Sequence, residues 1–130
     1  MRTITIFFSV FLVFCIISFA DLQEFESDII KTSKGDLKLT FIGHGSLMFS
    51  FDEKVIHIDP VSRYADYKQL PKADLILITH EHGDHLDPAV IKRLYKEDTD
   101  IVLTEKCLAK FKSGMVMKNG ETKTIKNINK

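Results

Sequence analysis

Three of the chain's five histidines lie in the six residues His80-Glu81-His82-Gly83-Asp84-His85, and the other two are His44 and His57. Imidazole nitrogens and carboxylate oxygens are the donors that Zn2+ and similar divalent ions select. In extended backbone, side chains two residues apart point the same way, so His80, His82 and Asp84 are expected to converge on one face. Gly83 is expected to allow a sharp turn that swings His85 in from the side. A helical zinc pair would need histidines four apart, and Gly83 beside Asp84 disfavours helix. Four donors on so short a loop cannot all reach one ion at good tetrahedral angles. The expectation is therefore two adjacent divalent ions sharing the loop, Zn2+ with Mn2+ as the alternative. The blander reading, a solvated turn that collects metal by chance, does not account for the ordered elements on either side.

Those elements are legible in the hydrophobic pattern. Leu75-Ile76-Leu77-Ile78 is a continuous apolar run, as expected of a strand covered on both faces, and it delivers the histidines at its carboxyl end, where open α/β sheets place ligand sites. After the loop, Asp87-Pro88 reads as an N-cap followed by a proline at the first helical position, with Val90, Ile91, Leu94 and Tyr95 on one face of the helix. Upstream, 37–41, 47–51 and 55–58 read as three short strands joined by tight connections at Gly43-His44-Gly45 and Asp52-Glu53-Lys54, an antiparallel meander. Residues 61–72 read as an irregular loop. Downstream follow a buried strand at Ile101 to Thr104, a short helix from Glu105 to Lys112 with Cys107, Leu108 and Phe111 inward, and a hairpin from Met115 to Ile125 around Asn119-Gly120. Asp21 to Gly35 has few apolar anchors and reads as a lead-in that pairs loosely with the sheet.

The chain has 130 residues, 45% of them apolar, with 18 basic and 18 acidic residues. That balance argues against a nucleic-acid partner or a polybasic membrane contact. Residues 1–20 stand apart: Arg2, an apolar run from Ile4 to Phe19, and Ser18-Phe19-Ala20 before Asp21 have the form of a cleaved secretory signal peptide. The run is short for a membrane anchor and lacks a basic flank after it. Export to the periplasm or medium is expected, with no stable membrane anchor after cleavage. Cys107 is then the one cysteine of the remaining chain, a small buried apolar residue rather than a disulfide partner.

Thr79-His80-Glu81-His82-Gly83-Asp84-His85 closely resembles the HxHxDH signature of the metallo-β-lactamase superfamily. Gly43-His44-Gly45-Ser46 and His57-Ile58-Asp59-Pro60 are similar to segments of the branch that holds uncharacterised metal-dependent hydrolases and ascorbate-phosphate lactonase-like proteins. The resemblance covers Leu37 to Ile125 and implies an α/β (α+β sandwich) fold, of which 37–130 would be the N-terminal half of an αββα domain. It implies His80 and His82 as ligands of a first metal and Asp84 and His85 as ligands of a second, with Asp84 also placed as the catalytic residue that orients the attacking water or accepts its proton. Asp59 would orient a ligand histidine through its far ring nitrogen, or else simply form the turn before Pro60. His44 would line the pocket or only shape its turn, and His57 reads as structural.

What the resemblance implies in function is an exported hydrolase in which a metal-bound hydroxide attacks an ester, lactone, amide or phosphodiester bond of a small-molecule substrate. A β-lactam-hydrolysing role ranks below this, and a nucleic-acid-processing role is disfavoured by charge. The family pattern also requires a third histidine for the first metal, a bridging aspartate and a final histidine, and no histidine follows His85. The expectation is a truncated product that lacks half the site and half the sandwich and is inactive as this fragment; the alternative is a non-catalytic metal-binding remnant. Either would leave a sheet face uncovered, favouring poor solubility or dimerisation.

Overall fold

The computed structural model describes residues 23–125. The expected signal peptide at 1–20 therefore lies outside the described residues. The elements run β1 (Ser27–Thr32), β2 (Gly35–Gly43), β3 (Ser46–Phe51), β4 (Lys54–Ile58), β5 (Leu75–Ile78), α1 (Pro88–Leu94), β6 (Asp100–Leu103), α2 (Glu105–Phe111) and β7 (Met115–Val116). All seven strands join one sheet in sequence order. The β1 to β4 pairings are antiparallel, whereas β4 to β7 are parallel and carry helices in their last two crossovers. Tight turns suffice for the first half, but a parallel return needs a longer crossover.

The strands alternate between two faces. Thr40, Met48, His57, Ile76 and Ile101 stand side by side on one of them. This face carries the core, where Ile76, Ile78, Ile101 and Leu103 pack with Val90, Ile91 and Leu94 of α1 and Cys107 of α2. The other face is a second apolar surface of Leu39, Phe49, Ile56, Phe41, Leu47, Ile58 and Leu77. It bears no helix of the described residues, and Phe41 at its edge is 40% exposed.

Asp87 caps α1 as expected, its side chain accepting from the backbone N–H groups of Ala89 and Val90. Thr104 caps α2 rather than ending the preceding strand, accepting from the Cys107 N–H. Four expectations need correction. The lead-in contains a regular six-residue strand, β1, whose residues are all exposed; backbone pairing at an open sheet edge needs no apolar alternation. Tyr95 leaves the helix at its C-cap in extended backbone and is 47% exposed, so it does not join the buried face. The hairpin at 115–125 is absent: Met115 and Val116 run parallel to β6, and Asn119-Gly120 forms a turn closed by the Glu121 N–H on the Lys118 carbonyl without a return strand. The fourth concerns the loop after β5 and is described with the site.

Candidate metal centre

The topology brings three separated segments to one end of the sheet. Because β4 and β5 are parallel, Asp59 and the 79–85 loop emerge together at their carboxyl ends. Leu47 pairs with Ile58, so the β2–β3 turn carrying His44 reaches the same end from the antiparallel side.

Asp59 is the buried pivot, 2% exposed and in left-handed backbone at φ 43°. Its Oδ1 accepts from the Thr79 N–H at 2.7 Å, and its Oδ2 accepts from the Thr79 hydroxyl at 2.5 Å. The same Oδ2 lies 2.8 Å from His85 Nδ1. That contact commits Nδ1 of His85 to the Asp59 carboxyl and leaves Nε2 turned toward the other donors. Thr79 extends the arrangement, since its oxygen lies 3.1 Å from His80 Nδ1 while its own proton goes to Asp59. One buried carboxylate thus fixes His85 directly and His80 through a hydroxyl. Ser46 holds the pivot from behind by donating to the Asp59 carbonyl at 2.6 Å.

The loop itself corrects the extended-backbone expectation. From Glu81 the chain bends, and the N–H groups of His85 and Leu86 both bond to the His82 carbonyl, winding 82–86 into a turn. Gly83 does not adopt a left-handed conformation there and has open space where a Cβ would stand. Convergence therefore comes from winding. Imidazole rings of His80 and His85 approach to 3.7 Å between centroids, and those of His80 and His82 to 5.0 Å. Glu81 turns away, with its carboxylate 3.6 Å from Lys106 and its carbonyl accepting from Lys110, so α2 anchors the loop from below.

Two sets of three donors result, each with its ligand atoms within 4.8 Å of one another: His80, His82 and Asp84, and His44, Asp84 and His85. Asp84 belongs to both. Its own backbone N–H, followed by the neighbouring His85 and His44 imidazoles, holds its carboxyl below the usual carboxylate range against an opposing effect of burial. It is therefore ionised, the form a ligand requires. Donor types, spacing and the commitment of His85 Nδ1 to a carboxylate all fit a divalent ion. His57 is elsewhere: it is fully buried among the core residues, with Nε2 3.1 Å from the Pro71 carbonyl.

Sequence reasoning did not single out Thr79, Ser46 or Tyr64 for roles of their own. Thr79 directly precedes the first histidine and could have been read as a hydroxyl at the strand end, but the bonding partner that gives it a role is distant in sequence. Tyr64, stacked on His44 at 5.6 Å and 25°, lies in an irregular loop with no pattern to expose it. A cavity of about 500 Å³ is lined by Tyr64, Arg63, Lys68 and Arg93 among others, and none of the His and Asp donors lines it.

The chain belongs to the metallo-β-lactamase superfamily: residues 38–130 match the family described as the beta-lactamase superfamily domain. Within that class it is similar to proteins named UPF0173 metal-dependent hydrolase. The one from Desulforamulus reducens is 35% identical over 71 residues, covering 52% of this chain and 30% of the relative. The one from Pelotomaculum thermopropionicum is 41% identical over 58 residues, covering 42% and 25%. Among solved structures, a protein described as a metal-dependent hydrolase from Parabacteroides distasonis is 53% identical with a TM-score of 0.74, covering 77% of this chain and 46% of that one. A metallo hydrolase from Ignicoccus hospitalis, at 24% identity and a TM-score of 0.58, shares the fold, covering 72% and 44%. The chain thus spans less than half the length of each of these relatives.

Proposed function

We propose that this chain supplies the histidine-rich part of a metal-dependent hydrolase acting on a small molecule with a hydrolysable ester, lactone, amide or phosphodiester bond. The observation that carries the reading is the meeting of two three-donor sets on one shared carboxylate, Asp84, above a buried Asp59 that fixes two of the histidines. His80 and His82 would hold one ion and Asp84 and His85 the other. When bound, such ions supply Lewis acidity, lowering the pKa of water toward about 7 and polarising a carbonyl or phosphoryl oxygen.

The chain's own residues do the positioning. Asp59 keeps His85 in one tautomer and His80 in one orientation, so that neither ring need reorganise when an ion arrives. Asp84, its carboxyl held below the usual carboxylate range, would orient the attacking water. Export remains part of the proposal, supported by the composition of residues 1–20, and a shortened N-terminus in the secreted fraction, read by mass spectrometry, is its test.

Turnover of generic phosphodiester and lactone substrates by the metal-reconstituted protein that carries this chain tests the reading. Activity should vanish with chelation and in His82→Ala; activity that survives either one overturns it. A second reading, a metal-binding module without turnover, is favoured by the apolar sheet face that no helix of the described residues covers. Bound metal without turnover selects it.

A further inference from the structure

His44 occupies the tip of the β2–β3 turn in left-handed backbone, at φ 51°. Outside glycine that conformation is uncommon, and histidine is among the residues, with asparagine and aspartate, that tolerate it best. Gly45 flanks it for a steric reason, and Gly43 because its backbone lies at φ 145°. A Cβ at Gly45 would stand 2.9 Å from His85 Cε1, and one at Gly43 would stand 3.4 Å from Tyr64 Cβ. Bare backbone on both sides lets the turn close on the His85 ring while Tyr64 stacks on His44. The His44 ring meets His85 edge-on at 5.2 Å.

Two of the donor separations are close to those of ligands on one ion. His44 Nε2 lies 3.2 Å from Asp84 Oδ2, and His85 Nε2 lies 3.7 Å from the same oxygen. Two ligands on one tetrahedral zinc, each bonded at about 2.0–2.1 Å, are separated by roughly 3.3 Å. His85 Nδ1 already faces Asp59, and among the described residues the His44 ring has Asp84 as its one hydrogen-bond partner. We infer that His44 is a third ligand of the second divalent ion, completing with Asp84 and His85 a site drawn from both halves of the sheet. This rests on the metal-binding reading above and adds to it a ligand outside the HxHxDH loop. It makes the β2–β3 turn part of the metal centre.

The test is titration of the full, metal-stripped 130-residue chain with Co2+ alone, followed by visible absorption and calorimetry. His44→Asn and His44→Gly both suit left-handed backbone, so the turn should persist, and circular dichroism checks that it does. His82→Ala reports on the other donor set. The parent chain should bind Co2+ in a site that both His44 variants weaken by at least about tenfold, with a changed ligand-field spectrum. If His82→Ala loses Co2+ while both His44 variants keep the parent's affinities and spectrum, the His44 assignment falls and the metal loop stands. A parent chain that binds no Co2+ overturns both.

Discussion

His57 makes the stability of this fold dependent on pH in a calculable way. The ring is fully buried between Met48 and Ile76 on the core face, and burial pushes its pKa down from 6.5 to about 4, against the opposing effect of its bond to the Pro71 carbonyl. Its Nδ1 has no hydrogen-bond partner among the described residues. The folded state thus favours neutral imidazole, so the unfolded chain takes up the proton first as pH falls. The contribution is fully present above the unfolded value and drains away down to the folded one. Over that whole window the loss is about 3 kcal/mol, and between about pH 7.5 and about pH 5 it is about 2 kcal/mol. His57→Gln removes the titration while its amide can still donate to Pro71. Urea unfolding of both proteins at the two pH values isolates the effect, because the carboxylates they share cancel in the comparison. The parent should lose about 2 kcal/mol more than the variant. Equal losses would refute the assignment of a neutral, core-buried His57.

Other consequences concern the metal centre and its supports. Asp59→Asn removes the charge that fixes His85, and metal affinity should fall by about 10–100-fold in calorimetry; an unchanged affinity would remove Asp59 from the site's design. Gly45→Ala places a methyl 2.9 Å from the His85 ring. It should displace that ring and weaken metal binding, while a variant at Gly83, where a Cβ meets nothing, should bind as the parent does. Asp87→Ala deletes the acceptor for two α1 N–H groups and for Ser62, and should cost about 1–2 kcal/mol in urea unfolding.

The fold was readable where local pattern and tertiary role coincide. The apolar run 75–78 is a buried parallel strand, and the Asp87-Pro88 cap begins a helix, because burial and capping leave signatures within a few residues. β1 was not readable as a regular strand, since an exposed edge is held by backbone bonds that any side chain permits. The segment 115–125 misled because Asn119-Gly120 predicts a turn but says nothing of whether a partner strand follows. At the site, residue types and spacing singled out His80, His82, Asp84 and His85; the winding of 82–86 is local but carries no residue signature, while the Thr79 relay to Asp59 and the stacking of Tyr64 on His44 join residues 20 apart in sequence.

Metal content of the purified chain, measured by plasma mass spectrometry after stripping and reloading with Zn2+, tests the metal centre most directly. The parent should retain bound zinc through gel filtration, and a His80→Ala, His82→Ala, Asp84→Ala triple variant that remains folded should retain none. Equal zinc in the two proteins would contradict the assignment of this loop as a metal centre.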